Sequence, residues 1–536
     1  MTKRLIMRFI SAVILTVMIL SLSLEAFALP INVDIGDNYF YTYYGEDVKA
    51  PVAYKPVQII GFADLGIAAG FEPVDLFVRD KYLYVVDRGN NSIIILDENY
   101  QIVNNIKELT GEIPELNKSI IGENGELQID KEMEKASKFQ FNKPEGIFVT
   151  EDGLIYVADK ENRRVVVCDI DGVVQNVYQS IRINVLGDSY IFKPTKLTVD
   201  KTGGMQIVAY AVNRGLMEID SDGKFRSFLG APPVQVNAID WFWRLISTDE
   251  QKKRLVKYVP TEYNNIMVDD RGFIYATIST LDPMALLSTA NAKDLGGSVS
   301  PIRKLSANGA DVLRRQGVFP PIGDIFFTYD TSPQIVDVAI DNASGRYTLL
   351  DSRMGRFFTY DADGNLLYIG GGGGNQYGRF KSPYSITIRG EHIIISDIGN
   401  KTLTVFETTE YARVINKAVS ANSAGKFDEA EEDWKNVINF NSNMYIAYVG
   451  LGKAELRKGL AKYDETRLDN YAQALTYFAS ANEKAYYSRS FKELQKDSLS
   501  KNFNLIAGSF LVLIIGIFVL YFVSKNRKKK KERGAK

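Results

Sequence analysis

The sequence predicts a mainly β chain: a six-bladed β-propeller followed by an α-helical region and one transmembrane helix. Three observations predict it: a recurring unit of β-branched and aromatic runs, a later switch to helical periodicity, and a charge-free apolar segment near the C-terminal end. The units are YVVDRGNNSIIILD ending at Asp97, YVADKENRRVVVCD at Asp169, IVAYAVNRGLMEID at Asp220, TLLDSRMGRFFTYD at Asp361 and IISDIGNKTLTVFE at Glu407. In each, two marker positions stand ten apart: Asp87 and Asp97, Asp159 and Asp169, Tyr210 and Asp220, Asp351 and Asp361, Asp397 and Glu407. A further apolar run precedes each unit, and a divergent sixth copy reads NNIMVDDRGFIYATIS, then IRKLSANG after an insertion. Short runs of this composition between Gly, Asp and Asn turns are consecutive antiparallel strands. One such sheet cannot bury both faces, whereas six stacked radially bury the faces between neighbours. The last unit stops after its third strand at Glu407, while KPVQIIGF near the start reads as a fourth strand without its preceding three. Val57 to Gly61 is therefore expected to complete the last blade and close the ring.

The segments FNKPEGIFVTEDGLIYVADKENRRVVVCDIDG and GGGGGNQYGRFKSPYSITI resemble NHL repeats, whose units read P-x-G-I-x-V, then Y-V-A-D-x-x-N-x-R, then D-x-x-G. The resemblance covers roughly residues 55–410. It departs at Tyr210, where the usual Asp is absent, and in the fourth unit, where the motif is interrupted. It implies a propeller fold, and an Arg that bonds the neighbouring Asp turn, as Arg163 and Asp159 would.

Composition narrows the chemistry. Hydrophobic residues at 46% and charged residues at 24% describe a folded chain. A single Cys168 forbids an intramolecular disulfide or a thiolate zinc site, and a single His392 removes Ser-His-Asp triads, Cys-His dyads and His-ligated metals. Carboxylate chemistry or none remains. Asp75, Glu145 and Asp337 stand at similar positions in first strands, but Lys196 and Tyr384 break the set. No cofactor and no metal site is expected.

Strand alternation divides the connections between two faces. Turns after first and third strands are uniformly tight, such as TEDG, DDRG, DIDG and DADG, and read as turn signals alone. The opposite set grows long, at Lys107 to Lys143, Ser180 to Lys193, Ala231 to Asn264, Val318 to Ser332 and Leu281 to Ser300. Insertions confined to one face build a binding surface. Two read as helical, KEMEKASKF and DWFWRLISTDEQKKRLVKYV, the second carrying Trp241 and Trp243, aromatics suited to protein or carbohydrate recognition or to capping the channel. Arg88, Arg163, Arg214, Arg353, Arg356 and Lys401 occupy equivalent connections on this face. Such a ring either holds an anionic polymer or bonds the neighbouring Asp turns.

After Glu407 the period becomes helical. Phe427, Ala430, Trp434 and Val437 share one face, followed by Ala447, Gly450, Leu451 and Ala454, and Ala474, Phe478 and Ala481 repeat the offsets. These spacings resemble tetratricopeptide repeats; so small an array needs packing on the propeller or a partner. The expected order is signal peptide 1–28, linker 29–54, propeller 55–410, helical stem 411–501, transmembrane helix 502–523 and basic cytoplasmic tail 524–536. The tail carries eight Lys or Arg against one Glu, which keeps it cytoplasmic. Removing its charge and that of residues 1–28 from the formal net of −1 leaves about −10 outside, unsuited to nucleic acid. The whole predicts an extracytoplasmic, single-pass, membrane-anchored binding or scaffold protein of a bacterial surface. Its partner is expected to be a protein, a surface glycan or a neighbouring membrane transporter. The alternative is a metal-dependent, lactonase-like propeller hydrolase or lyase.

Overall fold

Six antiparallel sheets, each in simple up-and-down order, follow one another around a central axis. This computed structural model describes residues 38–533 except 43–45, 122–125, 132, 180, 182, 184–185, 188–189, 232–261, 280, 282–285, 287–299, 316–320, 325–332 and 465. The signal-peptide segment and the insertion carrying Trp241 and Trp243 lie outside the described residues. Blades 1, 2, 3 and 5 span 73–106, 144–179, 194–229 and 335–371 with four strands each; blade 4 has three among the described residues, within 265–305. Blade 6 takes Pro383–Arg389, His392–Asp397 and Thr402–Thr408 from the end of the propeller and its fourth strand, Tyr54–Gly61, from the beginning. The expected closure is thus present, with Ile60 opposite Leu403 and Gln58 opposite Val405.

The ten-residue spacing has a local cause. Asp97, Asp169, Asp220 and Asp361 each accept backbone N–H bonds through Oδ1 from the residues two and four positions later, which folds the turn between third and fourth strands. The earlier marker acids, Asp87, Asp159, Asp351 and Asp397, bind backbone amides of the linker entering their blade, at Glu72, Asn142, Gln334 and Ser382. These eight repeat acids therefore each fix a turn or a linker, and their spacing follows from strand length; Glu407 instead lies within its strand and pairs with Lys55.

Six helices follow: α1 (Glu410–Ser423), α2 (Phe427–Phe440), α3 (Tyr445–Ala461), α4 (Thr466–Ser480), α5 (Lys484–Lys501) and α6 (Phe503–Arg533). Thr409 caps α1, and its backbone N–H and Oγ1 bind the carbonyls of Ala53 and Val52, just before the closing strand. A Cβ on Gly450 would stand 2.2 Å from the Trp434 indole and one on Gly452 2.6 Å from Phe478, so glycine lets these rings lie on α3. The helices do not stand apart as a stalk. Tyr411, Ile415 and Trp434 share one apolar core with Tyr347, Phe358 and Leu367 of blade 5. Tyr368 donates to Asn416 at 2.8 Å and Ser423 to the Ser344 carbonyl at 3.2 Å. The helices thus rest on the tight-turn face, whose turns form a docking floor as well as reversing the chain.

Of the segment 29–54, expected as a linker, the described residues Tyr39, Phe40, Tyr41 and Ala53 belong to the same core. Tyr39–Tyr41 pairs with Asp47–Lys49, and the hydroxyls of Tyr39 and Tyr41 donate to Asp324, which also binds Arg356 at 2.6 Å. The described residues of Lys131–Phe139, expected as helical, lie in turns and irregular chain; a single helical turn or two has no hydrogen-bond surplus to hold it, and here Met133 is buried instead. Among the described residues α6 is the one helix long and apolar enough to cross a membrane, over Phe503–Arg527, and its side chains are exposed.

Candidate functional site

A register slip near the start of the first strand fixes which side chains line the axis. In five blades the ladder shifts between the first and third residues, at Pro73/Asp75, Pro144/Gly146, Pro194/Lys196, Ile335/Asp337 and Pro383/Ser385. The third positions are thus equivalent, and Glu145 and Tyr384 belong one residue earlier. The expected grouping of Asp75, Glu145 and Asp337 is corrected into two layers.

In the deeper layer Lys196 binds Asp75 at 2.6 Å and the Val74 carbonyl at 3.0 Å. Asp337 accepts from Ser385 Oγ at 2.7 Å and from the Ile386 amide at 2.8 Å. All four side chains are buried. Burial pushes Asp337 up to about 7, with Lys196 opposing the shift and Asp75 adding to it. Burial likewise raises Asp75 against Lys196. Burial alone would lower Lys196, but Asp75 and Asp337 outweigh it and hold the ammonium charged. The cavity here is about 10 Å³, about one water, so no substrate fits.

In the outer layer Glu145 binds both Arg88 and Lys160 at 3.0 Å, and Arg88 also reaches Glu72 at 3.0 Å. Burial raises the Glu145 carboxyl, yet Lys160 and Arg88 outweigh burial and hold it below the usual range. Arg88 lies over the Tyr384 ring, 5.7 Å from its centre.

The expected basic ring is therefore mostly engaged in structure. Arg88 serves Glu145 and Glu72, Arg356 serves Asp324, and Lys401 donates to the Ala69 carbonyl at 2.8 Å. Arg163 pairs with Asp130, not Asp159; its φ of 60° turns the side chain away from the Asp turn. Arg164, fully buried, binds Asp159 at 2.7 Å and the Lys138 and Gln140 carbonyls. Arg214 and Arg353 are exposed. Sequence reasoning passed over Tyr210, 62% exposed, with the Lys160 ammonium 5.6 Å from its ring centre. Its signal was an aromatic where other units carry Asp. Tyr210, Lys160 and Arg214 together give an aromatic and cationic patch on the long-connection face of blades 2 and 3.

The fold and this site define a six-bladed propeller joined to a helical domain. The NHL repeat family model matches residues 141–168, the first three strands of blade 2. No curated protein matches the chain. Among solved structures, a catalytically inactive virginiamycin B lyase from Staphylococcus aureus, with quinupristin, is 12% identical, covering 66% of this chain and 100% of that one at a TM-score of 0.36. A streptogramin B lyase is also 12% identical, covering 69% and 98% at 0.35. Hydrazine synthase of Kuenenia stuttgartiensis is 13% identical, covering 64% and 97% at 0.36.

Proposed function

We propose that this protein is a membrane-anchored binding or scaffold protein that engages a protein partner or surface glycan through the long-connection face of its propeller. The observation that carries this reading is the division of labour between the two faces. One is occupied by the helical domain through a shared core, and the other presents Tyr210, Arg214 and Arg353 to solvent. Aromatic and arginine side chains are the types that concentrate binding energy. The axial acids favour binding over hydrolysis, because Lys196 places an ammonium where a metal ion would need open carboxylates. The helical pairs act as a tetratricopeptide-like spacer, and α6 as a single-pass anchor with its basic end cytoplasmic.

A photo-crosslinking residue in place of Tyr210 is expected to capture one defined partner from intact cells, and Tyr210→Ala to reduce co-purification. A crosslinker replacing Lys224, on the tight-turn face, is the control. Equal capture from both positions, or none from Tyr210, overturns the reading.

Orientation has its own test, helped by the lone cysteine. Cys168 is buried and its thiol is pushed up to about 12, chiefly by burial, so it adds little background labelling. A membrane-impermeant maleimide should label Asp222→Cys in intact cells and Ala535→Cys only after lysis. The reverse pattern would put the propeller inside.

A further inference from the structure

We infer that the exposed face of α5 is a docking surface for the lipid bilayer, where it engages anionic phospholipid headgroups beside the membrane helix. The inference rests on reading α6 as the anchor, and adds a second membrane contact that anchoring alone does not require. The two sides of α5 are unlike. Tyr486 stacks on Phe478 of α4 with ring centres 5.5 Å apart, Asp497 binds Arg467 of α4 at 2.8 Å, Ser490 is buried and Leu494 packs against the apolar core. The other side is exposed and carries Lys484, Arg489, Lys492, Lys496 and Lys501. Neither acid of the helix, Glu493 or Asp497, is among its exposed residues.

Composition selects the occupant. Tyr487, Phe491 and Leu499 lie among the bases, 38%, 43% and 57% exposed. In a headgroup layer the bases pair with phosphate while the rings and Leu499 sink toward the acyl boundary, keeping their charged neighbours at the surface. Placement agrees. Asn502 alone separates α5 from α6, and a helix of 18 residues is about 27 Å long, so the whole face stays within that reach of the bilayer. Asn502 also breaks the rod. Its φ of −98° and ψ of 9° lie outside the helical range, so α5 is not bound to continue the line of α6 and can incline onto the headgroups. The cytoplasmic tail holds eight Lys or Arg, and single-pass topology favours few on the outer flank. A one-sided basic face there needs a counter-charge, which an anionic leaflet supplies.

The test uses the full chain, a single copy per lipid nanodisc, in phosphatidylcholine alone and in an equal mixture with phosphatidylglycerol. Cys168 is buried, so introduced cysteines take a spin label selectively. Gln495→Cys reports the exposed face of α5, Ile514→Cys the interior of α6, and Asp222→Cys a propeller turn in water. Collision of the Gln495→Cys label with a water-soluble nickel chelate should fall about threefold or more when phosphatidylglycerol is present. Lys492→Glu combined with Lys496→Glu, both on the exposed side, should restore it, and Asp222→Cys should not respond. Equal accessibility of Gln495→Cys in the two lipids, or shielding that survives the charge reversal, overturns the inference. Ile514→Cys separates this result from the anchor reading. Its label should be shielded in both lipids, and a lipid-insensitive Gln495→Cys beside it removes the docking while leaving the anchor. A water-exposed Ile514→Cys removes both.

Discussion

Lys196→Met is expected to destabilise the propeller by about 3–5 kcal/mol at pH 8, because it strands two buried carboxylates without their cation. Lys196 is 4% exposed and bridges blade 3 to Asp75 of blade 1, while Asp337 of blade 5 shares its field. The loss should shrink at pH 5, where protonation replaces the missing charge. Asp337 gives the sign in the parent protein. Burial raises its folded pKa to about 7, above the ordinary carboxylate value. Its stabilising contribution is therefore complete only below the unfolded pKa, near 4, and is lost as pH rises through about 7. Asp75 is displaced in the same direction and adds to the trend. Asp337→Asn retains an acceptor for the Ile386 amide and cannot ionise, so it should gain on the parent above pH 7 and approach it near pH 4. Denaturant midpoints across this range decide the matter. A Lys196→Met loss that is the same at pH 5 and pH 8 would mean that packing, not charge, holds the axis. Combining Lys196→Met with Asp75→Asn should recover part of the loss, since the two act as one pair.

What the sequence disclosed and what it hid follow from the range of the interactions involved. The repeat acids were legible because Asp97 or Asp169 bonds amides two and four residues away, so their pattern is written locally. Ring closure was legible because an unpaired fourth strand and a missing one are complementary at any separation. The basic ring was read one residue out of place at Arg163 and Arg164. Neighbours in a strand turn point in different directions, and only the left-handed backbone at Arg163 decides which of them reaches Asp159. The axial layers were misgrouped for another reason: Asp75 and Lys196 stand two residues after the proline that opens their strands and Glu145 and Tyr384 only one, and that one-residue offset puts them in different layers. Contacts such as Tyr39 and Tyr41 with Asp324 join residues some 285 positions apart and leave no periodic trace.

Excising residues 54–61 is expected to abolish cooperative folding. The closing strand is the fourth strand of blade 6 and leads directly into blade 1, so it holds both ends of the ring with one piece of chain. Its loss exposes Thr402–Thr408 as a free edge, a template for pairing with another molecule, and aggregation should follow. The effect should reach past the propeller, because Thr409, the cap of α1, is bonded to Val52 and Ala53 at the base of the same strand. A gentler variant separates closure from gross truncation. Ile60 is 2% exposed and packs with Leu76, Leu83, Ile394 and Leu403, drawn from blades 1 and 6. Ile60→Ala should cost about 2–5 kcal/mol, the range for truncating a buried aliphatic side chain. If closure couples the ring, that loss appears as one shifted urea transition with an unchanged slope, since every blade unfolds together. Repeat arrays that are merely stacked lose stability locally, and a second, earlier transition confined to the terminal blades would show that this ring is held by nearest-neighbour contacts alone.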